Sequence, residues 1–191
     1  MLSSVPIIEA PPLGRGPFVK GNAMKRLLSS LAATGLIMSA AIATAPGAAA
    51  DERVCRGYIG KVVVDDVKVP KNAKCQMNGT RVKGNIKVQS GAKFTAARIN
   101  VDGNIQSQGH LWVKVEDSRV DGNIQLEQGR GLTLNRNIVD GDIQVFSNRS
   151  GYKSIYSNRV DGNLQCKSNS PAPKGARNIV KGNKEDQCRR L

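Results

Sequence analysis

The sequence holds a single histidine, His110, and four cysteines, none of them in a Cys-x-x-Cys pair. That poverty leaves no metal-ligand cluster of familiar spacing and no dithiol redox motif. Aromatic residues make up 4% of the chain, and Val, Ile, Gly and Asn recur where a compact globule would carry Leu and Phe. The core they can build is thin and repetitive. No phosphate-cradling loop occurs either, because the glycines recur at a fixed period instead of gathering at a strand-to-helix turn. No acid or base partner is evident in the sequence for His110 or for any serine.

The N-terminal region reads as a targeting segment. Met24-Lys25-Arg26 precedes an apolar stretch from Leu27 to Ala45, and small residues at Ala48 and Ala50 complete a secretory signal peptide over residues 24–50, with cleavage expected after Ala50. Thr34, Gly35, Ser39, Thr44 and Pro46 dilute the apolar run, which argues against a membrane-spanning helix. Residues 1–23 carry four prolines and form no basic start, so they read as a non-functional extension. Asp51 rather than a cysteine follows the cleavage point, and no lipid anchor or membrane span is expected in the mature chain. Removing four basic residues and one acidic one with this segment leaves 25 basic against 14 acidic residues, a net charge of +11. Such a balance favours anionic surfaces, among them envelope polymers and acidic polysaccharide, without specifying one.

Aligned against itself, the rest of the chain is a repeat. Val82-Lys83-Gly84-Asn85-Ile86 is followed by Val101-Asp102-Gly103-Asn104-Ile105, Val120-Asp121-Gly122-Asn123-Ile124, Val139-Asp140-Gly141-Asp142-Ile143 and Val160-Asp161-Gly162-Asn163-Leu164, and Val180-Lys181-Gly182-Asn183-Lys184 closes the series. The glycines are 19 to 21 residues apart, and one period before Val82 lies a degenerate copy at Val63-Val64-Asp65-Asp66-Val67. A unit this short cannot bury a core alone and must stack on its neighbours. Alternating runs such as Leu111-Trp112-Val113-Lys114-Val115 and Leu132-Thr133-Leu134 mark further strands within each unit. The expected fold is all-β: a right-handed parallel β-helix, or β-solenoid, of six or seven coils in one domain, residues 51–191. A series of antiparallel hairpins competes, because Asp-Gly is a strong two-residue turn signal. Lys83-Gly84 and Lys181-Gly182 replace that dipeptide, however, and Asn persists after Gly where a hairpin does not require it.

In stacked coils each repeated position becomes a column. Asn85, Asn104, Asn123, Asn163 and Asn183 form one; Gln106, Gln125, Gln144 and Gln165 another; Asp102, Asp121, Asp140 and Asp161 a third. The repeat glycines and Ser118, Asn137, Asn158 and Asn178 are expected at bends that need unusual dihedrals. In an exported chain four cysteines read as two disulfides with three possible connectivities. The favoured one is Cys55–Cys75 and Cys166–Cys188, each closing a loop of about twenty residues at one end of the array and contributing on the order of 3 kcal/mol.

The whole array, down to Val160-Asp161-Gly162-Asn163-Leu164-Gln165-Cys166 and the closing Gln187-Cys188, resembles uncharacterised secreted repeat proteins of bacteria, particularly actinobacteria, a family that brings no known activity. More distantly it is similar to the bactofilins, polymer-forming proteins built on a small parallel β-helix. Those lack this signal peptide and these cysteines, and here Lys184, Glu185, Asp186, Arg189 and Arg190 crowd the last coil, which counts against end-to-end growth.

The candidate chemistry is sparse. The Asp column could hold Ca²⁺, since neighbouring carboxylates about 4.8 Å apart repel and hard cations gather oxygens, though Arg119 and Arg159 stand close by in sequence to absorb the charge. Glycoside hydrolysis needs two carboxylates facing each other across a cleft, whereas residues in one column point the same way. Trp112, Tyr152 and Tyr156 could stack on sugar rings. Lys114, Arg130, Arg136, Arg149 and Lys153 would help nucleic-acid binding, but no reading motif accompanies them. The expected function is a non-catalytic exported scaffold that binds anionic envelope material, needs no cofactor and has no nucleic-acid partner. A carbohydrate-binding or carbohydrate-active β-helix and a self-assembling solenoid are the alternatives.

Overall fold

The computed structural model describes residues 51–191. The expected extension and signal peptide, residues 1–23 and 24–50, lie outside the described residues. Every regular element described is a short β-strand, and every pairing between strands is parallel. Three sheets run the length of the array. Sheet A has eight strands, from Glu52–Val54 through Ile105–Gln108 and Ile124–Glu127 to Lys184–Asp186. Sheet B has seven, from Tyr58–Ile59 through Lys93–Ala97, Trp112–Glu116 and Gly131–Asn135 to Lys174–Ala176. Sheet C has seven two-residue strands, from Val63–Val64 to Ile179–Val180. The chain visits A, B and C in turn and then steps up one coil, giving a β-solenoid of about seven coils. The hairpin alternative is thereby replaced by parallel stacking.

The repeat motif is the corner between sheets C and A. Its valine ends a C strand and its isoleucine begins an A strand. Val82, Val101, Val120, Val139 and Val160 stack in register, as do Ile86, Ile105, Ile124, Ile143 and Leu164, and all ten are fully buried. Sheet B adds Phe94, Val113 and Leu132 in one inward column and Met77, Ala96, Val115, Leu134 and Ile155 in the next. A fully buried Leu or Ile contributes about 1.5–3 kcal/mol by leaving water. Each coil supplies only a handful of such residues, so stability accumulates along the stack.

The degenerate first copy keeps its expected register on sheet A and is shifted by one residue on sheet C. Val64, not Val63, pairs with Val82, while Val67 pairs with Ile86, and Val63 is 60% exposed. The first corner is one residue shorter than the others, with Asp65-Asp66 spanning what Lys83-Gly84-Asn85 spans above. Asp66 takes over the Asn position, its Oδ1 accepting the Asn85 N–H at 2.6 Å.

Glycine is required in the motif for closeness, not for dihedral freedom. None of the repeat glycines lies in the left-handed region, contrary to the expected unusual dihedrals. A Cβ on Gly103 would stand 2.6 Å from the Gly84 carbonyl oxygen, and one on Gly122 2.7 Å from that of Gly103. The left-handed residues are at the other two corners and are mostly not glycine. Arg98, Asp117, Arg136, Ser157 and Arg177 turn sheet B into sheet C, and Gln128, Ser147 and Ser168 turn sheet A into sheet B, all at φ between 49° and 59°.

What offsets those conformations is a set of buried amide ladders. Ser118, Asn137, Asn158 and Asn178, expected at bends, do follow the left-handed residue but point inward. Asn137 Oδ1 accepts the Ser118 N–H at 3.2 Å, Asn158 Oδ1 the Asn137 N–H at 3.0 Å and Asn178 Oδ1 the Asn158 N–H at 3.0 Å. Their Nδ2 groups donate to the Val115, Leu134 and Ile155 carbonyls. A second ladder of Asn148, Asn169 and Gln187 does the same at the A-to-B corner. Both expected disulfides form: Cys55–Cys75 ties the first coil to the second, and Cys166–Cys188 holds the terminal turn under the last. They belong to an oxidising compartment rather than to the cytoplasm. No helix among the described residues is long and apolar enough to cross a membrane.

Candidate binding faces

The largest pockets among the described residues are open to solvent, so the candidate sites are the outer faces. On sheet A the Gln column forms a continuous ladder. Each Nε2 donates to the next Oε1, from Gln106 to Gln125, Gln144 and Gln165, at 2.8–2.9 Å, and Gln165 donates to Glu185. The Asn column at the C-to-A corner is equally continuous. Asn104 accepts the Asn123 N–H at 2.8 Å, Asn123 that of Asp142 at 2.7 Å, and Asp142 that of Asn163 at 2.6 Å. This column needs only an acceptor oxygen, which is why Asp66 and Asp142 can stand in it.

On sheet C the Asp column is bonded to cations. Arg81 pairs with Asp102 at 3.0 Å, Lys181 with Asp161 at 2.7 Å, and Arg119 bridges two coils by donating to Asp121 at 2.9 Å and to Asp140. The Lys181 ammonium holds the Asp161 carboxyl below its ordinary range. The four candidate Ca²⁺ ligands, Asp102, Asp121, Asp140 and Asp161, thus face guanidinium and ammonium groups. Among the described residues no three acidic, His or Cys side chains gather around a common point. At the neighbouring corner Arg136 grips Asp117 with two bonds, at 2.6 and 2.8 Å, which holds that carboxyl low as well.

Two sequence expectations change inside the coil. His110, for which the sequence shows no partner, lies in the loop between the strands Ile105–Gln108 and Trp112–Glu116 and is fully buried with Nδ1 3.0 Å from Ser107 Oγ, and its Nε2 has no hydrogen-bond partner among the described residues. Burial, with the nearby Lys153 charge, pushes its pKa down to about 4. Lys153, counted among the surface cations that would help bind nucleic acid, is 1% exposed and occupies the inward column above Leu132. Its Nζ donates to the carbonyls of Ser150, Gly151 and Ser170 at 2.8–3.0 Å, pinning the corner where this coil is two residues longer. Burial lowers its pKa. The compensation of a longer coil by an inward lysine has no signal in the repeat itself.

Sheet B is the face that does not repeat. Lys74, Lys93, Trp112 and Gly131 follow one another in one outward column, with Gln76, Thr95, Lys114 and Thr133 beside them. The Trp112 ring leans over Gly131, where a Cβ would meet its Cζ3 at 2.4 Å, and stands edge-on to Tyr152 at a centroid distance of 5.5 Å. The aromatic residues expected to stack on sugars are therefore on one face, joined by Tyr58, which the sequence reading passed over. An open groove of about 780 Å³ runs between Tyr58 and Trp112, and its walls include Arg56, Lys74 and Lys93 but no carboxylate. None of these three cations makes an ion pair among the described residues. No protein-family model, curated protein or solved structure matches the chain.

Proposed function

We propose that the chain is an exported, non-catalytic scaffold that holds an anionic polymer of the cell envelope against sheet B. The observation that carries this reading is the groove between Tyr58 and Trp112, which collects Arg56, Lys74 and Lys93 without an acidic neighbour. Adjacent coils lie about 4.8 Å apart, so stacked lysines repel by roughly 0.9 kcal/mol in water. Beside sheet C, Arg81, Arg119 and Lys181 are paired with the Asp column, whereas the groove on sheet B leaves its three cations for a partner. Signal-peptide cleavage after Ala50 and release from the cell belong to the same reading, supported by the two disulfides.

The Asp column supports no acid–base role, since each carboxylate is paired with a cation and all four point the same way. The test is retention of the oxidised, exported protein on isolated cell walls and on acidic and neutral polymers at low and moderate salt, with release of sugar products followed in parallel. Salt-sensitive retention on acidic material without products is the expected result. Product release would replace the scaffold reading with an enzyme, and retention on no acidic polymer would remove the reading altogether.

A further inference from the structure

Resting on that reading, we propose that the polymer is a carboxylated polysaccharide, lying along the solenoid axis over Lys74 and Lys93 with one sugar ring against Trp112. Three observations converge on this chemistry. First, the column order is lysine, lysine, tryptophan on successive coils. An extended polyuronate offers one carboxylate per ring, a regular series of charges and rings that can meet lysines and a tryptophan repeated at the coil spacing of about 4.8 Å.

Second, the aromatic platform is built into the face. Gly131 is the one coil in that column without a side chain to obstruct the ring, and Trp112 leans over it and against Tyr152. The ring therefore tilts away from Lys93 and leaves the lysine side of the groove open. A phosphate chain without rings has no use for such a platform. Third, the groove floor between the cations carries the Gln76 amide and the Thr95 hydroxyl, groups that match sugar hydroxyls rather than a bare charge.

The chain has a single tryptophan, so Trp112 reports on its own site. The exported, oxidised protein is titrated with polygalacturonate, with polyphosphate and with dextran, reading Trp112 fluorescence and, independently, affinity electrophoresis. Polygalacturonate is expected to change the emission saturably at low salt, more tightly than polyphosphate, and dextran to do nothing. The double variant Lys74→Gln/Lys93→Gln and the single variants Trp112→Ala and Gly131→Ala should each weaken polygalacturonate binding about tenfold, corresponding to about 1.4 kcal/mol. Gly131→Ala leaves every charge in place and moves only the ring. Arg159→Gln/Arg177→Gln, on sheet C and at the B-to-C corner and outside the groove lining, should stay within about twofold of the parent by the same scale. Circular dichroism confirms that each variant retains its strands.

If polygalacturonate and polyphosphate bind equally, or if Trp112→Ala and Gly131→Ala bind as the parent does while the lysine variant fails, the polysaccharide assignment is wrong and the anionic-polymer reading survives. Binding of neither polymer overturns both.

Discussion

Two substitutions of the same kind, Asn104→Asp and Asn137→Asp, should have opposite outcomes, because the two asparagine columns use their amides differently. Asn104 stands in the half-exposed corner column, where its Oδ1 accepts the Asn123 N–H and its Nδ2 reaches only Asn85 Oδ1. Asp142 already fills the equivalent place two coils on, accepting the Asn163 N–H. Asn104→Asp should therefore cost less than about 1 kcal/mol. Asn137 is buried, and its Nδ2 donates both to the Val115 carbonyl at 2.8 Å and to Asn158 Oδ1 at 3.0 Å. Alanine there strands the Ser118 N–H and removes the two bonds that Nδ2 donates, although the Val115 carbonyl stays within the sheet B ladder. At about 1–3 kcal/mol for the buried unsatisfied group and about 1 kcal/mol for each lost bond, the loss is about 4 kcal/mol. Aspartate restores the acceptor but sets a carboxylate against two oxygens in a dry interior, so Asn137→Asp should cost at least as much as alanine. Guanidinium denaturation of the oxidised protein, followed by Trp112 fluorescence and circular dichroism, measures all three. If Asn137→Ala fell within about 1 kcal/mol of the parent, or Asn137→Asp matched Asn104→Asp, the inward ladder would not be supporting the left-handed corners.

Gly122→Ala places a Cβ 2.7 Å from the Gly103 carbonyl oxygen and 2.6 Å from Asn104 Oδ1. It should cost about 1–3 kcal/mol in the same denaturation assay, whereas Gly57→Ala, with nothing within 4 Å, should be close to neutral. The buried His110 makes stability depend on pH. Its folded pKa of about 4 lies below the unfolded value of 6.5, so the folded form binds the proton less readily. The stability is fully present above pH 6.5 and is lost as pH falls toward 4. The loss between pH 7 and 5 should be about 2 kcal/mol, and a His110→Gln variant that kept the same loss would refute the assignment. Replacing Cys55 and Cys75 together by serine should lower stability by about 3 kcal/mol and fray the first coil first, as hydrogen exchange of sheet B amides near Cys75 would report.

The period was legible because stacking repeats its demands. A valine that ends sheet C and an isoleucine that begins sheet A meet the same residue above and below, so Val101 and Ile105 advertise the fold by recurring. The same logic located the disulfides at the two ends, where the repeat loses a neighbour. The sheet C valine of the first copy is Val64 rather than Val63 because Asp66 can supply the acceptor oxygen for the Asn85 N–H in a shorter corner, and a chemical equivalence of that kind is invisible to a spacing rule. The left-handed corners were hidden for a different reason: Arg98, Asp117 and Arg136 share a conformation and no side-chain type, and the residue that sustains them is the buried amide one position later. The burial of His110 in its loop and of Lys153 in the inward column has no sequence signal, because each of these residues stands at its position in only one coil. Of the candidate site, the aromatic residues were visible singly. Their gathering on sheet B depends on which face each strand presents, which follows only once the three-sided coil is known.

A residue that recurs in every coil is explained by stacking, as the Gln ladder on sheet A explains itself through its own hydrogen bonds. The sequence Lys74, Lys93, Trp112, Gly131 up one column is not, since neighbouring ammonium groups repel and nothing acidic lines their groove. This difference is itself testable. Glutamine at both lysine positions removes the repulsion and can extend an amide ladder of the kind seen between Gln106 and Gln165. If the lysines serve a partner, Lys74→Gln/Lys93→Gln should be as stable as the parent or more stable by up to about 1 kcal/mol, while its retention on acidic polymer falls. If instead the double variant unfolds at lower guanidinium concentration, the two lysines are holding the face together through their alkyl stems, and the cationic groove is a feature of the fold rather than of its function.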